Sequence, residues 1–146
     1  IAEGKTDLKN PTELRSMVMD NWACGLPVHL SEITLTSPQT PDGEEQQAII
    51  LRNFYRLWFS LEPMMGITWW NVVDDCGAPG EPSFSGLFHR DMTPKKSYYA
   101  LNDLINKEWK TRLELPVEGG KVCFRGFKGK YKLTLPDGSE KIIEVK

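Results

Sequence analysis

The chain has 146 residues, of which 18 are basic and 20 acidic, so its formal net charge is −2. A composition with 40% hydrophobic and 26% charged residues is typical of a globular protein and excludes an intrinsically disordered one. The near-neutral balance argues against general nucleic-acid binding, which needs a basic face. Charged residues such as Arg52, Arg56 and Glu62 interrupt the apolar stretches, so we expect no membrane-spanning segment.

The cysteines indicate neither a zinc framework nor a dense set of disulfides. Cys24, Cys76 and Cys123 lie far apart without a CxxC pair. We expect three buried free thiols, with one disulfide as the open alternative. His29, Glu32 and Asp74 lack the spacing of a helical histidine pair, so we expect no metal and no cofactor.

Helices and strands alternate in the first part of the chain. Asn10 and the proline after it mark the start of a helix, and helical apolar spacing extends that helix over residues 10–25. The same spacing predicts further helices over 44–61 and 93–109. Apolar, β-branched and aromatic runs predict strands over 26–35 and 66–73. This order is typical of an α/β fold with a parallel sheet and crossover helices.

The sequence pattern changes after residue 111. Polar and apolar residues alternate over 121–125, 129–135 and 140–146, and a turn precedes the last run. We therefore predict two domains: residues 1–111 as the α/β part, and residues 112–146 as a small antiparallel β unit of about three strands.

Glu32 is the first candidate functional residue. Strand alternation places Val28, Leu30 and Glu32 on one face, where a buried carboxylate is costly unless it is used or paired. The carboxyl end of a parallel strand is also where α/β folds assemble their sites. The alternative is a structural glutamate that pairs with an arginine or caps the next helix.

The adjacent Trp69 and Trp70 form the second candidate feature. Neighbouring residues of a strand point to opposite faces, so one ring can enter the core while the other lines the mouth of a site. An indole ring beside a carboxylate such as Asp74 suits a sugar, which stacks its C–H face and hydrogen-bonds its hydroxyl groups. The alternative is that both rings belong to the core.

Taken together, these motifs resemble family 10 glycoside hydrolases, which are xylanases built on a (β/α)8 TIM barrel. The likeness covers residues 26–111 and matches strands seven and eight of that barrel. It rests on a series of motifs in the family's order: PVHLSE at 27–32, GITWW at 66–70 with Asp74, GLF at 86–88, PK at 94–95 and YYAL at 98–101.

The resemblance implies a role for several residues. Glu32 corresponds to the catalytic nucleophile, Trp70 to the aromatic ring beneath the sugar, and His29 to a residue that orients the site. Asp74 is expected to bind substrate, and Phe84 to replace a second tryptophan of the family. Two departures, Thr34 and Asn71, stand where the family usually has aspartate and glycine, so the preferred substrate can differ from plain xylan.

The resemblance also implies a retaining glycosidase that acts on β-1,4-linked plant cell-wall polysaccharide, in a secreted or cell-envelope location. A barrel has eight strands and about 250 residues, and a retaining enzyme needs two carboxyl groups. The general acid of the family, on its fourth strand, has no counterpart here. We therefore expect this chain to be the C-terminal portion of a barrel, inactive alone, with the N-terminal part of the same barrel as its partner.

A different hypothesis is a non-catalytic carbohydrate-binding or scaffolding fragment, with Phe124, Phe127 and Tyr131 as binding platforms. The tail also carries a run of basic residues between these rings, a pattern found in nucleic-acid binding proteins. Because the whole chain is acidic, we favour a solvated basic hairpin and expect no nucleic-acid partner.

Overall fold

The computed structural model describes residues 10–146, and residues 1–9 of the predicted first domain lie outside the described part. The chain divides into two compact units, the first ending at Asn102 and the second comprising Asp103–Lys146. The pattern change that the sequence analysis places at residue 112 therefore lies inside the second unit.

The first unit has the predicted order of helices and strands. The elements are α1 (Pro11–Trp22), β1 (Val28–Ile33), α2 (Gly43–Phe59), β2 (Met64–Trp69) and α3 (Lys96–Asp103). At the start of α1 the side chain of Asn10 accepts a hydrogen bond from the backbone N–H of Thr12, which confirms the predicted cap. Helix α3 begins three residues later than predicted and continues into a π-helical turn, Leu104–Glu108.

Strands β1 and β2 form a parallel pair, as the alternation of elements predicted. His29 pairs with Gly66, Leu30 with Ile67, and Ile33 with Trp69. The shift between Leu30 and Ile33 inserts one extra residue into β1, so the strand contains a β-bulge. Strand β2 ends at Trp69, four residues earlier than predicted, and Trp70 follows it.

Helices α1 and α2 cover one face of this sheet, with α1 in contact with β1 and α2 with β2. Trp69 is 9% exposed and belongs to the core, whereas Trp70 is 47% exposed, so the predicted division of the tryptophan pair is confirmed. The apolar stripe of α2 supplies more buried apolar side chains than any other element, namely Ala48, Leu51, Phe54, Tyr55 and Trp58. Burial raises the pKa of Tyr55 to about 12.

The second unit contains a two-stranded antiparallel hairpin, β3 (Gly129–Thr134) and β4 (Glu140–Val145). The prediction of three strands is wrong, because residues 121–125 form a single bridge, between Glu118 and Lys121. Alternation of polar and apolar residues indicates that a segment has one apolar and one polar face. It does not show that a neighbouring strand is present to hydrogen-bond with that segment. Instead, the ring of Phe124 packs on Tyr131, with centroids 5.3 Å apart.

The cysteines are free, but they are exposed rather than buried, so that part of the prediction is wrong. Cys24 follows the end of α1, and Cys76 and Cys123 lie in loops, where no core surrounds the thiol. Within residues 10–146, no helix is both long and apolar enough to cross a bilayer.

The apolar face of α2 should carry much of the stability of the first unit. Leu51 is fully buried, and its replacement by alanine should cost about 2–5 kcal/mol because it leaves a cavity. Ile50 is the matched control, since it lies next in the same helix but is 41% exposed. Urea denaturation of both variants measures the difference, and equal losses would contradict this account of the core.

Candidate functional site

The β-bulge in β1 decides which face of the sheet carries Glu32. Leu30 and Ile33 both point to the face that the helices cover, because they pair with Ile67 and Trp69. Glu32, next to Ile33, therefore lies on the opposite, uncovered face and is exposed. The prediction that Glu32 shares a face with Val28 and Leu30 is wrong, since regular alternation takes no account of an inserted residue.

His29 lies on the same uncovered face. Its Nε2 atom is 2.9 Å from the hydroxyl oxygen of Thr68, a residue that the sequence analysis did not select. Gly66 makes this arrangement possible, because a Cβ atom there would lie 2.9 Å from the imidazole ring. One sequence signal points to this pairing: Gly66 is a lone glycine within a predicted strand, which indicates a close approach by a neighbouring group.

Trp70 completes the set of predicted residues on this face. Its backbone N–H donates to the carbonyl of Ile33, which extends the pairing of the two strands by one residue. Asn71 then turns inward: its amide donates to Ser85 and Glu81, and its carbonyl accepts from the indole N–H of Trp69. Asn71, which stands where the family usually has glycine, therefore holds the loop after β2 in place through these hydrogen bonds.

Asp74 lies away from the uncovered sheet face, buried in the loop after β2. Its two carboxylate oxygens are 3.0 and 2.9 Å from Nζ of Lys95, and the backbone N–H of Gly86 donates to Oδ1 at 2.7 Å. Lys95 is 1% exposed. The ion pair links the segment 86–95 to the loop that follows β2. Because both charges are buried, separating them costs a large amount of free energy.

Gln47 connects the loops that follow the two strands. From its buried position in α2 its amide donates to the carbonyl of Leu35 at 2.7 Å and approaches that of Gly86 at 3.4 Å. Sequence analysis missed this residue, because a glutamine within a helical stripe carries no chemical signature of its own.

A cavity of about 640 Å³ opens beside Asp74, and Phe84 is part of its wall. Here His89 lies with Nε2 3.2 Å from Oε1 of Glu44, and with Nδ1 3.9 Å from Oδ2 of Asp74. Neither Glu32 nor Trp70 lines this cavity. The structure thus divides the predicted site residues into two sets: His29, Glu32 and Trp70 on the sheet face, and Asp74 and Phe84 at the cavity.

Within residues 10–146, no cluster of three or more histidine, cysteine or acidic side chains is arranged to hold a metal ion. In the second unit, the candidate platform rings of Phe124 and Tyr131 pack against each other, and the hydroxyl of Tyr131 donates to the carbonyl of Phe127. Phe127 itself is 43% exposed.

Two lysines of β3 lie beside acidic residues of β4. Lys130 is opposite Glu144 in the register, whereas Lys132 is opposite Ile142 and forms an ion pair with Glu140. This face of the hairpin is therefore charge-balanced.

Several solved glycosidases share the fold of part of this chain. A xylanase of Thermotoga petrophila RKU-1, solved with xylobiose, matches 68% of this chain and 32% of its own, with 21% identity and a TM-score of 0.58. An intracellular xylanase of Thermoanaerobacterium saccharolyticum matches 63% and 29%, with 20% identity and a TM-score of 0.53. A β-glucuronidase of Lactobacillus rhamnosus matches 66% and 19%, with 26% identity and a TM-score of 0.54.

The expected likeness to xylanases and related TIM-barrel glycosidases is thus confirmed at the level of the fold. The chain spans a third or less of the length of these proteins. No protein-family model matches the chain, and no curated protein matches it.

The buried pair of Asp74 and Lys95 should be a major source of stability. Replacing Lys95 by methionine leaves a buried carboxylate without its cation, which should cost about 3–5 kcal/mol of unfolding free energy. Lys96→Met is the matched control: Lys96 pairs with Glu45 at the surface, where solvent screens the interaction, so little change is expected.

Denaturant titration of both variants tests this expectation. The double variant Asp74→Asn, Lys95→Met should regain much of the loss, because it removes the unpaired charge. A Lys95→Met variant as stable as Lys96→Met would show that the pair contributes little.

Proposed function

We propose that this chain carries part of the active site of a retaining glycoside hydrolase. The observation that supports this most is the placement of Glu32: a carboxylate near the carboxyl end of a parallel strand, on the sheet face that no helix within residues 10–146 covers. In barrel enzymes the catalytic groups come from this end of the strands. The fold shared with xylanases adds to this support.

In the proposed mechanism, Glu32 attacks the anomeric carbon while the glycosidic bond breaks and the acid/base carboxyl gives its proton to the departing oxygen. Water then attacks the covalent glycosyl intermediate, returns a proton to the acid/base carboxylate and releases Glu32. Trp70 supplies an exposed indole face against which the sugar ring stacks. His29, held by Thr68, lies on the same face as Glu32 and orients the site. A retaining enzyme places its acid/base carboxyl about 5–5.5 Å from the nucleophile, and we assign that group to another part of the barrel.

The open sheet supports the proposal that β1 and β2 are two strands of a larger barrel. Within residues 10–146 they pair with each other and with no further strand, so each has an unpaired edge. Parallel sheets are normally larger and covered on both faces. We propose that the N-terminal part of the same barrel supplies the missing strands and covers this face.

The substrate that we propose is a β-1,4-linked polysaccharide of the plant cell wall, such as xylan, in a secreted or envelope-associated setting. The support comes from the resemblance of the motifs around Glu32 and Trp70, and from the xylobiose bound by the Thermotoga xylanase. Phe84 and Asp74 are proposed to contribute to substrate binding from the loop after β2.

The 146-residue chain alone should not hydrolyse xylan, because the proposed mechanism needs a second carboxyl group from outside it. The measurement is release of reducing sugar by the purified chain, with an intact family 10 xylanase as the positive control. Robust turnover by the chain alone would overturn the proposed division of the active site.

In the full-length protein that carries this chain, Glu32→Gln should lower turnover of an activated aryl xyloside by several orders of magnitude. The substitution keeps the shape of the side chain but removes the charge that stabilises the oxocarbenium-like transition state. Glu62→Gln, at another exposed glutamate of the same unit, is the matched control and should keep normal turnover.

Mass spectrometry supplies an independent readout. A 2-fluoro-xyloside inactivator should label the peptide that contains Glu32, since it traps the glycosyl intermediate. Near-normal turnover of Glu32→Gln, or a label on another peptide, would show that Glu32 is not the nucleophile.

A further inference from the structure

The cavity beside Asp74 forms a second concave site, separate from the sheet face that carries Glu32. Its volume of about 640 Å³ lies within the range of small-molecule sites. The loop after β1 and the start of α2 supply one wall, and the loop after β2 supplies the other. The lining includes the ring of Phe84 and several charged or titratable side chains, among them Glu44, Asp74, His89, Arg90 and Asp91.

Phe84 gives this cavity an apolar surface. Its ring is 39% exposed, and its backbone is held in place because its carbonyl accepts from the N–H of Ser37 at 2.8 Å. An exposed ring among hydrogen-bonding side chains is the combination that a sugar needs, with stacking on one face and polar contacts around the edge.

The lining of the cavity contains more acidic than basic side chains. Two of its residues, Arg90 and Lys95, are permanent cations, and His89 is titratable. The four carboxylates are those of Glu44, Asp74, Asp75 and Asp91. Hydrogen bonds from the hydroxyl and the backbone N–H of Thr93 lower the pKa of Asp91, so this carboxylate is ionised at neutral pH.

The two cations already have partners. Lys95 is held by both oxygens of Asp74, and the guanidinium of Arg90 donates to the carbonyl of Asp75 and contacts the sulfur of Cys76. His89 lies against Glu44. A ligand carboxylate that entered would meet an excess of negative charge and would compete for cations that are in use.

We propose that this cavity binds an uncharged sugar unit and discriminates against uronic acids. The inference rests on the proposed glycosidase function and specifies its substrate class. Hydroxyl groups of a neutral sugar can donate to the carboxylates of the lining, which are hydrogen-bond acceptors, while the ring stacks on Phe84. A uronic acid adds a negative charge that this lining repels.

Calorimetric titration of the 146-residue chain with two tetrasaccharides at neutral pH tests the inference. The ligands are xylotetraose and xylotetraose that carries one glucuronic acid, so they share a backbone and differ by an acidic substituent. We expect the neutral ligand to bind about tenfold more tightly. Equal or tighter binding of the acidic ligand, or no binding of xylotetraose in the millimolar range, would overturn the inference.

Two substitutions locate the binding. Phe84→Ala should weaken xylotetraose binding about tenfold, because it removes the stacking ring. Phe59→Ala is the matched control, since Phe59 is 40% exposed on α2 and does not line the cavity, so the affinity should not change. Equal effects of the two variants would contradict binding in the cavity.

A charge variant tests the discrimination itself. Glu44→Gln with Asp91→Asn should lower the preference for xylotetraose over the acidic ligand about fivefold, because it removes two negative charges from the lining. Glu45→Gln, on the neighbouring residue outside the lining, should leave this preference unchanged. An unchanged preference in the double variant would show that the lining charge does not set the selectivity.

These results are distinguishable from failure of the proposed function. If Trp70→Ala removes xylotetraose binding and Phe84→Ala does not, the cavity inference fails while the proposed active site stands. If Glu32→Gln leaves turnover of the full-length protein intact, the proposed function fails whatever the cavity binds.

Discussion

The ion pair between Asp74 and Lys95 organises the carboxyl ends of the two strands. Asp74 receives three hydrogen bonds, two from Lys95 and one from the backbone of Gly86, and both charged side chains are buried. The side-chain amide of Gln47 also links the loops after β1 and β2, because it lies within hydrogen-bonding distance of a backbone carbonyl in each. Because these contacts leave the segment 86–95 little freedom, the walls of the adjacent cavity are formed before any ligand arrives, and a preformed site loses less entropy on binding.

The inserted residue in β1 has a comparable effect on the sheet. It lets Leu30 and Ile33 both face the helices while Glu32 faces the uncovered side. His29 and Trp70 lie on that side as well, so a carboxylate, an imidazole and an indole share one open surface. A regular strand would have directed Glu32 toward the helices, where an ionised carboxylate is costly.

The hairpin of the second unit brings residues of opposite charge together. Lys130 is opposite Glu144, Lys132 forms an ion pair with Glu140, and the hydroxyl of Tyr131 donates to the carbonyl of Phe127. Gly126 leaves room for this hydroxyl, since a Cβ atom there would lie 2.4 Å from it. The local sequence of β3 indicates a strongly basic surface, but the glutamates of β4 balance the charge of its lysines. This difference depends on cross-strand register, which no local pattern contains.

Local spacing and residue type were enough to predict the order of helices and strands, the capped start of α1, the parallel pairing and the contrast between Trp69 and Trp70. The order of the sequence motifs also led to the glycosidase fold. Tertiary structure alone decided that Glu32 crosses to the open face, that Asp74 is held by Lys95, and that Phe84 joins a separate cavity. Each of these features depends on contacts between residues that are distant in the chain or on an inserted residue. The periodicity of the sequence predicts neither of them.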